Sequence, residues 1–182
     1  MELICGLVKN ILLLSDTHSC VEPDIIKHFA NADEIWHGGD WGNMALSDIL
    51  EKTGKTIRSV WGNVDGQDLR TRYPLHNRFT CEGVKVWITH IGGYPGKYNP
   101  KLIKDLYECT PDLFITGHSH ILKVMRDKNL KGMLHMNPGA AGRHGFHIMR
   151  TMIKFELHAG KIQNVAVIEL GKRTEGKELP EI

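Results

Sequence analysis

Residues 112–120 read DLFITGHSH, a short apolar run followed by two histidines that are one residue apart. The run from Asp112 to Ile115 has the composition of a buried strand, so His118 and His120 follow the point where a strand ends. In α/β sheets, binding sites are built at the carboxyl ends of the strands. Two imidazoles this close can bind two different metal ions, although a surface loop that contains two histidines has the same local pattern. A metal site would therefore need further ligands from other parts of the chain.

Three apolar segments in the first third of the sequence also end in polar residues. The predicted strands cover Asn10 to Ser15, Glu34 to His37 and Thr56 to Trp61. Helical patterns separate them, one starting at Pro23 and one after Asn43, and this alternation indicates βαβ units with a parallel sheet. Because the carboxyl ends of parallel strands meet at one edge of a sheet, we expect four polar residues to converge there: Asp16, His18, Asp40 and Asn63.

The rest of the sequence is dominated by strands. Glu82 and Gly83 predict the tight turn of a hairpin whose second arm ends at His90. Asn99 and Pro100 are a typical helix start. The helix would bury one face, made of Leu102, Ile103, Leu106 and Tyr107. Four more strands are predicted at Ile121 to Arg126, Gly132 to Met136, Arg150 to Leu157 and Ile162 to Leu170.

These segments predict an α/β fold of four layers. Two mixed β-sheets would pack against each other with helices on the outside, which is an αββα sandwich. At 182 residues the chain is long enough to bury the core of one domain. We place that domain at residues 1–170 and a polar C-terminal tail at residues 171–182.

The composition excludes several classes of protein. The formal net charge is +2 and there is no run of like charges, so nucleic-acid binding through a basic stripe is not expected. The four cysteines are far apart and form no C-x-x-C pair, which is typical of reduced thiols in a cytoplasmic protein. Glu2 and Lys9 interrupt the apolar N-terminal segment, so we expect neither a signal peptide nor a membrane span. The 11 histidines are the unusual feature.

Seven of the polar residues that follow predicted strands provide carboxylate oxygen, amide oxygen or imidazole nitrogen, and none provides sulfur. They are Asp16, His18, Asp40, Asn63, His90, His118 and His120. This donor set suits manganese, iron, zinc, nickel or cobalt better than copper(I) or an all-oxygen calcium site. Seven ligands are too many for one structural zinc and suit two ions that share a bridging carboxylate. Each fragment alone has an ordinary alternative, such as a turn at Asp40 or a core histidine at His90.

The order of these residues resembles the signature of the calcineurin-like metallophosphoesterases. The matching motifs are Asp16-x-His18, Gly39-Asp40, Gly62-Asn63-x-Asp65, His90 and Gly117-His118-x-His120. The resemblance spans Leu12 to about Arg143 and implies the same four-layer αββα fold. The short length, the late antiparallel strands and Asn137-Pro138-Gly139 are similar to the small bacterial and archaeal phosphodiesterase branch, to which the retromer scaffold subunit is related.

The resemblance implies a role for each matching residue. One divalent ion would bind Asp16, His18, Asp40 and His120, and a second would bind Asp40, Asn63, His90 and His118, so that Asp40 bridges the two. Manganese is the expected metal, with nickel, cobalt, iron or zinc as alternatives. The ions would acidify a shared water, and the hydroxide would attack a small phosphodiester, with Asp40, Asn63 and His90 acting through it. The predicted substrate contacts are Asn63, Arg143 and His144, although Arg143 and His144 could equally be exposed basic loop residues.

The position after Asn63 departs from the family pattern. Many members carry a histidine there, which assists the leaving group, but in this chain it is Val64, which cannot donate a proton. This departure disfavours the first alternative, a phosphomonoesterase or nucleotidase. The second alternative is a non-catalytic scaffold like the retromer subunit, which has lost metal-binding histidines that this chain retains. A homo-oligomer is left open.

Several neighbouring residues have weaker predicted roles. Asp65 is expected to hydrogen-bond a ligand or order its loop, with a helix cap as the alternative. His37 is expected to be buried rather than to bind a metal. Trp41, Tyr94 and Tyr98 could form the rim of the pocket, with simple packing as the alternative.

Overall fold

The structure of the chain is a computed structural model that describes residues 8–174. The strands are β1 (Lys9–Leu14), β2 (Glu34–His37), β3 (Thr56–Ser59), β4 (His76–Cys81), β5 (Val84–Thr89), β6 (Gly93–Tyr94), β7 (Lys97–Tyr98), β8 (Leu113–Ile115), β9 (Leu122–Asp127), β10 (Met133–Pro138), β11 (Met149–His158) and β12 (Lys161–Lys172). The helices are α1 (Pro23–Ile26), α2 (Ala45–Lys52), α3 (Gln67–Arg72) and α4 (Ile103–Glu108). Short 3-10 turns cover Phe29–Asn31 and Lys128–Leu130.

The first sheet has the strand order β12-β11-β1-β2-β3. Strands β1, β2 and β3 are parallel, while β11 pairs antiparallel with both β1 and β12. Successive side chains of β1 point to opposite faces, and Ile11, Leu12, Leu13 and Leu14 are all buried, so this strand is covered on both sides. Its central position brings the carboxyl ends of β1, β2 and β3 together, as predicted.

The second sheet has the strand order β4-β5-β8-β10-β9. Strands β5, β8 and β10 are parallel in its centre, and β4 and β9 close its edges as antiparallel arms. The predicted turn between β4 and β5 is present, with positive φ angles at Glu82 and Gly83. The sheet is therefore mixed. The carboxyl ends of its parallel strands lie at one edge, where the residues that follow β5 and β8 are found.

Three apolar layers hold the sheets and helices together. The central layer lies between the two sheets and includes Leu13, Ile115 and Phe155. A second layer packs the first sheet against α1, α2 and α3, and a third packs the second sheet against α4 and the turn at Lys128–Leu130. The order helix, sheet, sheet, helix is the predicted four-layer αββα sandwich, and the prediction is confirmed.

One local prediction was wrong, one helix was missed, and one predicted helix is present but short. Helix α4 begins at Ile103 and not at Pro100; of its predicted buried face, Leu106 and the preceding Leu102 are buried, while Ile103 and Tyr107 are exposed to solvent. Helix α3 was not predicted, since Leu69 is its one buried residue and a single apolar residue makes no stripe. The helix at Pro23 has four residues and is followed by a 3-10 turn.

The last strand is longer than predicted. It continues to Lys172, which pairs with Met149, so the polar tail does not begin at residue 171. The rest of the predicted tail, from residue 175 onward, lies outside the described residues. None of the helices within residues 8–174 is long and apolar enough to cross a membrane.

Candidate metal centre

Five strands end at one place in the structure, and each is followed by residues predicted as metal ligands. Asp16 and His18 follow β1, Asp40 follows β2, and Asn63 follows β3. His90 follows β5, and His118 and His120 follow β8. The two sheets thus contribute to one cluster because their parallel strands run towards the same edge. We call these seven residues the strand-end cluster.

One half of the strand-end cluster consists of Asp16, His18 and His120. One ligand atom from each lies within 4.8 Å of the others. The Nε2 atoms of His18 and His120 are 3.2 Å apart, and His120 Nε2 is 3.2 Å from Asp16 Oδ1. Three side chains whose carboxylate and imidazole ligand atoms lie this close together can bind a single cation.

The other half consists of Asp40, His90 and His118, whose ligand atoms also lie within 4.8 Å of one another. His90 Nε2 is 3.2 Å from Asp40 Oδ2 and 3.2 Å from Asn63 Oδ1, which joins Asn63 to this half. Asp40 Oδ2 is also 3.8 Å from His18 Nε2 in the first half. Asp40 therefore lies between the two halves, and its carboxylate is placed to be shared by two ions.

The backbone of the cluster is held in an unusual conformation. Asp16, His18, Asp40, His118 and His120 all have positive φ angles, between 45° and 67°. This region is disfavoured for residues with a Cβ, and such strain concentrates at functional sites. Gly62 contributes differently, because a Cβ at this position would collide with the Asp40 carboxylate. The lack of a Cβ at Gly62 thus lets the loop after β3 lie directly against Asp40.

Buried hydrogen bonds fix the loops that carry the cluster. Asp65 accepts bonds from the backbone N–H of Gly42 (2.9 Å) and of Gly62 (2.7 Å), so it orders the loops after β2 and β3 and does not cap α3. Asn137 donates to the carbonyl oxygen of Gly117 at 2.8 Å and thereby holds the histidine loop. The prediction from sequence gave no role to Asn137, although its motif was noted.

His37 also supports the cluster without belonging to it. Its ring is fully buried, its Nδ1 accepts the Gly39 N–H at 3.1 Å, and its Nε2 lies 3.1 Å from the Thr17 hydroxyl. Burial holds the pKa of His37 well below its ordinary value, so the ring is neutral. Trp41 stacks on His37 and is also fully buried, so it packs in the core and does not form the rim.

The charges of the cluster are not balanced by permanent cations. The side chains of Asp16 and Asp40 are 0% and 3% exposed, and within residues 8–174 neither forms an ion pair with lysine or arginine. Burial raises the pKa of Asp40, but the hydrogen bond from His90, the charges of His90 and His18 and the Val64 N–H together outweigh it, so the pKa lies below its ordinary value. Burial lowers the pKa of His118, which favours the neutral imidazole that metals bind. Two buried carboxylates among oxygen and nitrogen donors fit divalent cations well.

Five of the seven cluster residues line an open cavity of about 450 Å³, namely His18, Asp40, Asn63, His118 and His120. Three exposed apolar residues line it: Val64 and Ile121, with 47% and 62% of their surface exposed, and the fully exposed Phe146. We call these three residues the apolar rim. The sequence did not single out Phe146, since an aromatic residue in a polar loop has no pattern that predicts its position.

The predicted substrate contacts differ in their placement. His144 lines the cavity, and its ring centroid is 4.8 Å from that of His18. Asn63 also lines the cavity. Arg143 is not part of the cavity lining, because its guanidinium forms an ion pair with Glu22 and donates to the carbonyl oxygen of Arg173. Its role as a phosphate contact is thus not supported, and it also differs from the alternative of an exposed basic loop residue, because it is half-buried and paired within the chain.

Comparison with known proteins agrees with the fold. Residues 10–160 match the family model of the calcineurin-like phosphoesterase superfamily domain. No curated protein matches the chain.

Three solved structures are similar in fold. Vps29 of Chaetomium thermophilum is 16% identical with a TM-score of 0.70, and the alignment covers 88% of this chain and 96% of that one. A predicted phosphoesterase of Streptococcus pneumoniae, described as uncharacterised, is 19% identical with a TM-score of 0.65 and coverages of 90% and 91%. An archaeal phosphodiesterase is 20% identical with a TM-score of 0.65 and coverages of 87% and 99%. The family match spans most of the chain, and the chain belongs to the calcineurin-like phosphoesterase superfamily.

Proposed function

We propose that the protein is a phosphodiesterase that depends on two divalent metal ions. The observation that carries the proposal is the position of Asp40, whose buried carboxylate lies between two groups of possible ligands and has no lysine or arginine partner within residues 8–174. A site of this kind attracts two cations that share one carboxylate. Manganese is the metal that we expect, with nickel, cobalt, iron and zinc as alternatives.

Each half of the strand-end cluster would hold one ion. Asp16, His18 and His120 with Asp40 would hold the first, and Asp40 with Asn63, His90 and His118 would hold the second. When bound, such ions lower the pKa of water and neutralise phosphate oxygens. The backbone carbonyl oxygen of Gly38, 2.8 Å from His90 Nδ1, accepts a hydrogen bond from the N–H at that position, which leaves Nε2 free to bind a metal.

The proposed reaction is hydrolysis of a small phosphodiester. The oxygen of water forms a bond to phosphorus, the bond from phosphorus to one ester oxygen breaks, and the products are a phosphomonoester and an alcohol. The leaving oxygen must gain a proton or leave as an anion. Val64, in the cavity lining, supplies no proton, so esters whose leaving group departs readily are favoured.

Two alternatives are weaker. Hydrolysis of phosphomonoesters with poor leaving groups needs an acid that Val64 does not provide. A non-catalytic scaffold has no use for two buried carboxylates without permanent cations, because an unneutralised buried charge costs free energy. The expected absence of nucleic-acid partners, the possible homo-oligomer and the cytoplasmic location stay predictions.

The proposal is tested with protein that has been stripped of metal and reloaded. Manganese, nickel or cobalt should restore hydrolysis of bis(p-nitrophenyl) phosphate, while p-nitrophenyl phosphate, the matching monoester, should be a poorer substrate. The readout is kcat/KM for each ester with each metal. Activity in excess chelator equal to that of the metal-loaded protein would contradict a requirement for metal. A preference for the monoester would favour the phosphomonoesterase.

A further inference from the structure

A second cavity lies beside the candidate metal centre, on the other side of the histidine loop. Its volume is about 500 Å³, and it is bounded by β6, β7 and the residues around them. His118, Ser119 and Ile121 line both this cavity and the cavity above the strand-end cluster. A molecule bound at the metal centre can therefore extend into it. We call this second cavity the hairpin cleft.

The hairpin cleft is positively charged. Lys97 and Lys123 are part of its lining, and no aspartate or glutamate is. The Nζ atom of Lys123 lies 3.7 Å from the centre of the Tyr94 ring, which holds it over the cleft wall. Within residues 8–174, neither lysine forms an ion pair with a carboxylate of the chain. Both ammonium groups are thus available to a ligand.

Hydrogen bonds keep the hairpin cleft in shape. His135 Nε2 is 3.1 Å from the Gly93 carbonyl oxygen, which ties β6 to β10 of the second sheet. The Tyr98 hydroxyl donates to Asp127 at 2.6 Å and ties β7 to the end of β9. Asp127 also accepts a hydrogen bond from the backbone N–H of Asn129 at 2.8 Å, and it is not part of the cleft lining. A pre-formed cleft avoids the cost of ordering a loop when the ligand binds.

The two cavities differ in the charge of the residues that line them. The two ester groups of an unsymmetrical diester can differ in charge in the same way. The cavity above the strand-end cluster has the apolar rim and no lysine in its lining. The hairpin cleft shares Ile121 with that rim, but it differs in having two lysines in its lining, beside two tyrosines. A diester carries two ester groups on one phosphorus, so one group can lie against the apolar rim while the other enters the cleft.

From this juxtaposition we propose that the hairpin cleft binds the second ester group of the substrate, and that this group carries a carboxylate or phosphate anion recognised by Lys97 and Lys123. The inference rests on the proposed phosphodiesterase function. It names the substrate class as an unsymmetrical diester with one apolar and one anionic group. Charge-assisted hydrogen bonds from lysine select for such a group over a neutral one of the same size.

Three p-nitrophenyl diesters with the same leaving group test the inference. Their other ester groups are propyl, 2-carboxyethyl and 2-phosphoethyl, which are similar in length and differ in charge. We expect kcat/KM to be about tenfold higher for at least one anionic ester than for the propyl ester, in line with charge-assisted recognition. The ester that is preferred identifies the anion as carboxylate or phosphate.

Substitution of the lysines then locates the recognition. Lys123→Met and Lys97→Met should each reduce the anionic-to-propyl ratio of kcat/KM about threefold or more. The control is Lys85→Met at the amino end of β5, which should leave the ratio unchanged. Thermal unfolding of each variant shows that it is folded. The preference should also fall as salt screens the lysines.

The results separate this inference from the function on which it rests. Equal kcat/KM for neutral and anionic esters, or a ratio that survives both lysine substitutions, would overturn the anionic cleft while leaving the phosphodiesterase intact. Failure of the metal-loaded protein to hydrolyse any of the three esters would instead remove the proposed function.

Discussion

Both ends of strands β1, β2 and β3 bury carboxylates, but they balance the charge in different ways. At the amino ends, Glu34 lies 3.0 Å from Lys9 and 3.2 Å from Arg58, and it accepts the Trp36 indole N–H at 2.9 Å. We call Lys9, Glu34 and Arg58 the amino-end ion pairs. At the carboxyl ends, the ionisable partners of Asp16 and Asp40 within residues 8–174 are histidines.

The difference separates a structural cluster from a binding site. A buried carboxylate that is paired with permanent cations and hydrogen bonds needs no further partner, so its role is only structural. Asp16 and Asp40 have only histidines as ionisable partners within residues 8–174, so no permanent cation balances their negative charge in the low dielectric of the interior. We therefore expect the carboxyl ends of the strands, and not the amino ends, to bind cations from outside the chain.

Replacing one carboxylate at each end should give the largest contrast. Asp40→Asn should lower kcat/KM for an aryl phosphodiester by about a thousandfold or more, because the shared carboxylate of both ions is lost. Glu34→Gln is the matched control and should keep kcat/KM within about twofold. Wild-type turnover by the Asp40→Asn variant would break the comparison, and an equal loss in both variants would mean that activity reports only on folding.

Changing Val64 should produce a smaller effect and sharpen the role of the cavity above the cluster. Val64→His introduces a proton donor, so we expect about a tenfold to hundredfold gain in kcat for diesters with poor leaving groups and little change for p-nitrophenyl esters. The measurement is the dependence of log kcat on the pKa of the leaving alcohol. Val64→Gln, which is polar but transfers no proton, is the control. An unchanged slope in the histidine variant would put this position away from the breaking bond.

Glu34→Gln should also have a moderate effect on stability. The amino-end ion pairs lose their charged hydrogen bonds, so we expect the free energy of unfolding at pH 7 to fall by about 1 to 3 kcal/mol. Urea unfolding monitored by tryptophan fluorescence gives this value. A stability equal to that of the wild type would show that Lys9 and Arg58 do not stabilise the buried carboxylate.

The wild type and the Glu34→Gln variant should also differ in how their stability depends on pH. Burial raises the pKa of Glu34, but the hydrogen bonds from Trp36, Lys9 and Arg58 outweigh it, so its pKa in the folded protein lies below the ordinary 4.5. Stability from this group is therefore present above pH 4.5 and is lost as the pH falls through the lowered pKa. The difference in unfolding free energy between wild type and Glu34→Gln should shrink from pH 7 to pH 3. A difference that grows in acid would show that folding raises the pKa of Glu34 and does not lower it.

The sequence predicts the fold and the members of the strand-end cluster better than their surroundings. Strand β2 has the predicted bounds, because an apolar run bounded by polar residues is a local signal. The convergence of Asp16, Asp40 and His90 follows from the geometry of parallel strands and needs no knowledge of the loops. That these residues bind metal stays a prediction until ions are measured.

Loop conformation explains most of what the sequence does not predict. Phe146 reaches the cavity and Arg143 turns to Glu22, although the two are three residues apart in the same loop. Trp41 is next to Asp40 in sequence but packs between His37 and Tyr73, because positive φ at Asp40 directs the two side chains apart. Such directions depend on backbone torsions that tertiary packing selects and that residue type alone does not determine.

Counting bound metal tests the requirement for outside cations most directly. Protein stripped with chelator, dialysed against manganese and freed of excess should contain two ions per chain in wild type and in Glu34→Gln. Asp40→Asn should contain fewer, since the shared carboxylate is gone. A chain that retains no divalent ion, or an Asp40→Asn variant that still binds two, would contradict a strand-end cluster that takes its positive charge from metal.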